Sequence, residues 1–211
     1  MKIKKAWLIR TTINGIDEYQ EFINNSFIAT GYDDTNSLKN RTKTDIKNLL
    51  SNKPFNLSSI ELGSITASLN NFVHGIQEND IVMIISGDNI CIGEIQSDYI
   101  YKASAPKCKH RRMFRTMRFL SREDLPLHIR TALKVRRDVA DLSKYTEELE
   151  AIMFGKEKEY QEQQKMLADI DVSYPLRPNY IVKFQIPVDI NENEAKRLSD
   201  FFKTLYFKKR S

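Results

Sequence analysis

The chain has 211 residues, a net charge of +5, and 41% apolar against 29% charged side chains, the balance of a soluble globular protein with room for one good core and a small appended module. No stretch approaches the roughly 18 apolar residues of a membrane-spanning helix, and the apolar run that Arg10 interrupts is too short for a signal peptide, so a cytoplasmic protein without a membrane partner is expected. Two cysteines, Cys91 and Cys108, are too few for a disulfide framework and lack the paired spacing of a zinc site, which leaves metal and cofactor unexpected.

In chain order, Ala6 to Arg10 reads as a short opening strand, and Asn14-Gly15 turns the chain into an amphipathic helix carrying Tyr19, Phe22 and Ile23. Phe27-Ile28-Ala29 returns as a second strand. It stops at the turn-rich Gly31-Tyr32-Asp33-Asp34, which leaves an aromatic ring at a strand end. A polar helix over residues 41–51 follows, with Ile46, Leu49 and Leu50 as its apolar stripe and a break at Pro54. Ile65, Leu69, Phe72, Val73 and Ile76 then keep the spacing of a well-packed helix. The strongest signal comes next. Ile81 to Ile85 is apolar and rich in β-branched residues, Gly87-Asp88-Asn89 is a turn, and Ile90, Ile92 and Ile95 resume, which predicts a β-hairpin in a buried sheet. Gly93 inside the second strand marks a bulge or a close backbone approach. Tyr99 and Tyr101, two apart, share a face if that strand continues.

Lys107, Lys109, Arg111, Arg112, Arg115 and Arg118 follow, interleaved with Met113, Phe114 and Met117. On a strand, alternation sends one set inward and lays the other along a continuous outer surface, an arrangement suited to phosphate contacts; His110 reads as one more solvated member of the run. Ser121 to Pro126 looks like a helix start, a short helix reaches Leu133, and Arg137 to Leu142 is extended. The composition then shifts, which places a domain boundary near Ser143. Residues 144–170 are rich in Glu, Gln and Lys, with Leu149, Ile152, Met153, Met166, Leu167 and Ile170 as anchors, and read as one amphipathic helix or two broken at Gly155. Tyr174-Pro175-Leu176-Arg177-Pro178 ends this stretch and Tyr180 to Pro187 is a strand. Asn191 and Glu194 make a capping-box-like start to a last helix with Ala195, Leu198, Phe201, Phe202 and Leu205 on one face. A single strand with two helices cannot bury that surface alone, so residues 144–211 are expected to be an association module that docks on the main domain or on another copy of the chain.

Trp7-Leu8-Ile9-Arg10, Ile28-Ala29-Thr30-Gly31-Tyr32, Asp80-Ile81-Val82, Ile92-Gly93-Glu94-Ile95, Asp98-Tyr99-Ile100-Tyr101 and Met117-Arg118-Phe119-Leu120 occur in an order that resembles the EVE-like domains of prokaryotic restriction proteins. These are similar to the N-terminal domains of Mrr-type and McrB-type systems and belong to the wider PUA, EVE and YTH superfamily. The resemblance covers about two thirds of the chain, with Tyr32 and Phe119 where that group usually carries tryptophans. It implies an α+β fold, a small mixed β-barrel flanked by helices, in residues 1–143, with a helix-strand-helix appendage in 144–211. It also implies a flipped, often methylated base held in an aromatic pocket. The tail Pro187-Val188-Asp189-Ile190 with Glu194-Ala195 and Arg197-Leu198 is similar to a short strand and helix on assorted bacterial proteins, which implies association rather than catalysis.

A reader of one flipped base needs aromatic faces, a group or two to test the base edge, and cations for the flanking phosphates. The aromatic candidates are Trp7, Tyr32, Tyr99 and Tyr101, the edge candidates Arg10 and Asn14, and the phosphate candidates Lys107, Lys109, Arg111, Arg112, Arg115 and Arg118. Catalysis lacks candidates: Glu194 and Lys196 fall on a helix instead of the adjacent strands a nuclease site requires, Asp80 belongs to a turn, and neither His74 nor His128 has an acidic partner in sequence. There is no Walker loop and no nucleophile elbow. The expectation is a non-catalytic reader of modified DNA, with DNA favoured over RNA, that serves a restriction or anti-phage system through a separate effector protein. The alternative is a protein-interaction or homo-oligomerisation adaptor with the barrel as scaffold.

Overall fold

The computed structural model describes residues 4–52, 55, 57–168, 170–188 and 190–204, for 165–168 the backbone alone. The expected break at Pro54, Asp189, and the side chains of Met166, Leu167 and Leu205 lie outside the described residues. The chain divides into two compact units that meet between Lys156 and Glu157.

The first unit begins with β1 (Ala6–Arg10), followed by a minimal hairpin of β2 (Thr12–Ile13) and β3 (Ile16–Asp17). Asn14 and Gly15 at its tip have φ of 52° and 81°, the doubly positive geometry for which Asn-Gly is the preferred pair. Helix α1 (Tyr19–Asn24) buries Tyr19 and Phe22 and delivers the chain to β4 (Phe27–Thr30), all four residues of which are buried. Reciprocal capping boxes start α2 (Lys43–Ser51) at Thr42 and Asp45, and α3 (Ser59–Asn70) at Ser58 and Glu61. Helix α3 runs on through a π-helical turn, Asn71–Gly75, so Leu69, Phe72, Val73 and Ile76 all reach the core. Then come β5 (Ile81–Ser86), β6 (Asn89–Ile95), β7 (Ile100–Tyr101), the long β8 (His110–Ser121), α4 (Leu127–Ala132), β9 (Val139–Asp141) and α5 (Thr146–Phe154).

One seven-stranded sheet joins these strands in the order β4-β8-β6-β5-β1-β9, with β7 also paired to β8. The predicted hairpin is its centre, in register from Ile81 opposite Glu94 to Ser86 opposite Asn89. Strand β1 pairs parallel with β5 and antiparallel with β9. Strand β8 gives its first residues to β4 and β7 and the rest to β6, and the sheet curls into a half-barrel. Gly93 does what its position in a strand suggested. The register of β6 on β8 shifts between Ile92 and Gly93, and a Cβ on Gly93 would lie 2.1 Å from the Arg115 carbonyl oxygen.

The sheet is covered on both faces, which is why its inner strands are continuously apolar. Trp7, Ile9, Val82, Ile84, Cys91 and Phe114 pack with Phe22, Leu69 and Phe72 on one side. On the other, Leu8, Ile81, Met83, Ile90 and Ile92 meet Ile129, Leu133, Leu149, Ile152 and Met153. The last three belong to α5, so the first unit extends past the expected boundary at Ser143: a helix that looked like the start of the tail carries part of the main core.

The second unit comprises α6 (Glu157–Ala168), β10 (Ile170–Arg177), β11 (Tyr180–Ile186) and α7 (Glu192–Thr204). The expected helix-strand-helix is thus a helix, a hairpin and a helix. Tyr174 to Arg177, expected to terminate a helix, continue a strand instead, because Pro175 in a two-stranded ribbon can sit where no amide donor is required. Val172 faces Phe184 and Tyr174 faces Val182 across the ribbon. Phe184 meets Phe202 of α7 at 5.3 Å between ring centroids. Asn191 and Glu194 do cap α7 reciprocally.

A candidate ligand cavity at the strand ends

Three of the predicted base-binding residues converge. Arg10 at the end of β1, Asn14 at the tip of the first hairpin and Tyr32 just beyond β4 line one cavity of about 200 Å³, together with Thr12, Thr30 and Asp138. The volume is below the roughly 300–1,000 Å³ of sites for drug-sized ligands, which suits a single planar ring. Arg10 is anchored by its backbone N–H to the Asp138 carbonyl (2.9 Å) and by Nη2 to the carbonyls of Leu133 (3.1 Å) and Val135. Its Nε is buried and has no partner among the described residues, so one charged donor is left over. Burial pushes the Asp138 carboxyl above its ordinary value, against the pull of Arg10. The Tyr32 phenol is raised to about 12, first by burial and then by the charges of Asp138 and Glu61. The wall therefore offers an arginine, a carboxyl whose pKa lies above its ordinary value, an amide, and an aromatic ring with a neutral hydroxyl. Such a set can hydrogen-bond the edge of a heterocycle and stack against its face.

Two lining residues hold unusual backbone conformations. Asn14 at φ 52° is common for its type, but Tyr32 at φ 70° is left-handed, a conformation that costs a bulky residue on the order of 1–2 kcal/mol. Something must hold it there. Its ring, half-buried, tilts against Phe55 at 5.5 Å between centroids.

The other three predicted aromatics serve different ends. Trp7 is 2% exposed, its Nε1–H donates to Asp80 at 2.8 Å, and a Cβ on Gly75 would come within 3.0 Å of its ring. Its faces are taken by the core, which corrects the expectation of a cage residue. Asp80 also accepts from the amides of Lys5 and Gln77, the turn-shaping role its sequence position suggested. Tyr99 is buried and its hydroxyl lies 2.6 Å from Nδ1 of His110. Tyr101, half-buried, tilts over the same imidazole at 5.1 Å. The two tyrosines do share a face, and what lies between them is His110.

The basic strand alternates as expected, yet its inward set contains a cation. Arg112 is 2% exposed. It donates from Nε to the Phe72 carbonyl (2.8 Å), from Nη2 to that of Val73 (2.9 Å) and from Nη1 to that of Ser97 (3.1 Å). The π-helical turn ends with carbonyls that its own helix leaves unpaired, and the guanidinium satisfies them. Burial lowers its pKa to about 10, with Asp98 and Asp80 opposing, so it stays charged at neutral pH. Arg112 is a structural cation and His110 a fully buried one-ring hub; neither is solvated. Of the remaining phosphate candidates, Lys107 pairs with Glu18 (2.6 Å), and Arg115 with Glu94 (2.6 Å), which also holds Lys4. Arg118 donates to the Ile152 carbonyl (2.6 Å). Arg111 bonds the carbonyls of Cys108 and Lys107 and covers the Phe27 ring at 4.1 Å. Lys109 shows no side-chain partner among the described residues and is half-buried. Arg111 sits directly opposite Ala29, and Ala29 lines the cavity. The outer face of β8 is thus one strand spacing, about 5 Å, from the cavity wall.

A family model described as a domain of unknown function, DUF8426, matches residues 7–135. The chain belongs to that family. The matched segment holds Arg10, Asn14, Tyr32 and the whole of β8, and stops just short of Asp138. No curated protein and no solved structure matches the chain. Among the described residues no helix is long and apolar enough to cross a membrane, and no group of three or more His, Cys, Asp or Glu side chains is placed to hold a metal ion. His74 bonds the Arg41 carbonyl (2.7 Å), while His128 has found the acidic partner that its sequence neighbours did not supply, Glu148 at 2.7 Å.

Sequence reasoning missed Asp138 and the buried role of His110. Asp138 follows two arginines and gives no local signal; only the pairing of Ile9 with Val139 brings it beside Arg10.

Proposed function

We propose that this protein is a non-catalytic nucleic-acid reader that takes a single base, in DNA and in modified form, into the cavity between Arg10, Asn14, Tyr32 and Asp138. It would serve a restriction or anti-phage system in the cytoplasm and pass its signal to a separate effector. The observation that carries this reading is the convergence of those side chains on one ring-sized cavity beside the exposed face of β8. The resemblance of the ordered motifs to EVE-like domains supports the choice of a modified base. In this reading Tyr32 stacks on the base, Arg10 and Asp138 test its edge, and Lys109 and Arg111 meet the flanking phosphates.

Fluorescence anisotropy with short labelled strands, modified and unmodified, tests it at two salt concentrations. Tyr32→Ala is expected to weaken binding about five- to hundredfold, the worth of one base-aromatic stack of roughly 1–3 kcal/mol. Lys109→Ala should leave base preference alone and lower the salt slope by about one. Absence of binding at low salt would sink the reading.

One observation favours a second role for the second unit. The ribbon face that carries Val172, Tyr174, Val182 and Phe184 is wholly apolar, and Tyr174, Ile181 and Phe201 remain exposed, Phe201 by 57%. A two-stranded ribbon is at best marginally stable alone, so we propose that residues 157–204 associate with another surface. If a second copy is that surface, the full chain runs as a dimer in sizing measurements and Phe201→Glu returns it to a monomer. A monomeric parent chain rules out self-association.

A further inference from the structure

The strained conformation of Tyr32 has a holder, a set of hydrogen bonds centred on His110. The Leu38 amide donates to the Tyr99 hydroxyl oxygen at 3.1 Å, so the hydroxyl's own hydrogen is free to point at Nδ1 of His110, 2.6 Å away. Nδ1 is then an acceptor, and a neutral imidazole must carry its hydrogen on Nε2. Nε2 lies 3.1 Å from the Tyr32 carbonyl oxygen and 3.2 Å from Oγ1 of Thr35. The Thr35 hydroxyl donates to the same Tyr32 carbonyl at 2.9 Å, which leaves its lone pair to share the Nε2 hydrogen. The Thr35 amide adds a third bond to that carbonyl at 3.0 Å. Alongside, Asp33 accepts from the Lys109 amide at 2.7 Å. The turn bearing Tyr32 is thus tied to Lys109 and to His110, the first residue of β8.

We propose that His110, as the neutral Nε2–H tautomer fixed by Tyr99, is the positioning residue of the cavity: it clamps the Tyr32 carbonyl and so keeps that tyrosine in the left-handed conformation that forms the cavity wall. Tyr99 and Tyr101 act on this cavity through the imidazole, and neither of them lines it. Its consequence for nucleic acid rests on the proposed function; its consequence for the shape of the cavity does not.

Protonation would undo the clamp from the other side, because an added hydrogen on Nδ1 would face the Tyr99 hydroxyl hydrogen. The groups around the ring are the Tyr32 carbonyl and Asp33 from the turn, Tyr99 and Tyr101 from the β7 segment, and Lys109 just before its own strand, while Arg112, two residues on in that strand, acts on Tyr99. Burial is the largest influence and lowers the His110 pKa below its ordinary value, with the Tyr32 carbonyl and Asp33 opposing and Lys109 adding to it. A lowered imidazole pKa means that the folded state binds fewer protons than the unfolded one. The stabilisation is complete above the ordinary histidine value and is lost as pH falls through the window below it.

The test uses the full chain and three variants. Nitrogen-15 NMR of the parent is expected to show His110 as the Nε2–H tautomer at neutral pH, with Tyr32 carbon shifts of a left-handed residue. His110→Ala should move the Tyr32 shifts, and His110→Gln, which offers an N–H near the place of Nε2, should restore them. Tyr99→Phe, which removes one hydroxyl and no bulk, should mix the two tautomers even if His110→Ala fails to fold. With a short labelled single strand as probe, His110→Ala weakens binding about tenfold, the cost of one buried hydrogen bond, while His110→Gln stays near the parent. An Nδ1–H tautomer in the parent, or Tyr32 shifts unchanged in both His110→Ala and Tyr99→Phe, overturns the proposal. Shifts that move in a parent that binds no strand overturn the proposed function and leave the clamp standing.

Discussion

Gly93→Ala is expected to cost at least about 3 kcal/mol, at the upper end of overpacking penalties. The added Cβ would stand 2.1 Å from the Arg115 carbonyl oxygen. That atom is backbone in the next strand of the sheet, so no rotamer change can make room. The loss is read as a fall in the urea midpoint without a change in m, or as a melting temperature lower by roughly 6–12 °C for a domain of this size. Gly63 is the control. It lies on the exposed face of α3 with nothing within 4 Å of its ideal Cβ, so Gly63→Ala should stabilise by about 0.4–1 kcal/mol. A Gly93→Ala protein as stable as its parent would show that the strands do not approach so closely.

Arg112→Met is the second large effect, and it separates a structural cation from a ligand-binding one. Methionine fills much of the same volume but leaves the carbonyls of Phe72, Val73 and Ser97 without their donor. Ser97 is half-buried and can turn to water, whereas Phe72 and Val73 are buried. Two orphaned carbonyls at about 1–3 kcal/mol each, less the relief of not burying a charge, give an expected loss of about 2–4 kcal/mol. The salt slope of strand binding should be unchanged under conditions where the variant is folded. A slope reduced by about one without loss of stability would return Arg112 to the phosphate set.

Much of the fold could be read from residue order because local signals and tertiary packing agree there. The 81–95 hairpin has apolar strands and a Gly-Asp-Asn turn, and it became the sheet's centre. The capping box at Asn191 and the helix through Ile76 likewise need only neighbours in sequence. The site was half legible. Arg10, Asn14 and Tyr32 stand at strand ends, but β1 and β4 run in opposite senses on either side of the central hairpin, and only the curl of the sheet brings those ends together. Trp7 has no such cue, since the fate of its ring is decided by Asp80, far along the chain. The basic run shows the limit most plainly. Alternation says that Arg111 and Arg112 face opposite ways, but with cations at both parities the sequence cannot say which faces in. The carbonyls of Phe72, Val73 and Ser97, distant in sequence, decide it by taking the Arg112 guanidinium. In the second unit, Tyr174 to Pro178 read as the end of a helical stretch, whereas residues 170–177 form a strand, because a two-stranded ribbon accommodates Pro175.

The place of β1 in the sheet also governs when the protein can fold. One neighbour of β1 is β5, and the other, β9, comprises residues 139–141. The covering helix α5 ends only at Phe154. A nascent chain that has emerged as far as residue 135, the end of the family match, holds every strand of the seven-stranded sheet but β9, and on one face of that sheet it has α4 without α5 as cover. It must wait for about twenty more residues, a second or more of synthesis at usual rates of about 5–20 residues per second. Sequence-distant closure of this kind folds slowly and all at once, so the smallest autonomous unit is longer than the family match, and a truncation at 135 should aggregate where one after Lys156 does not.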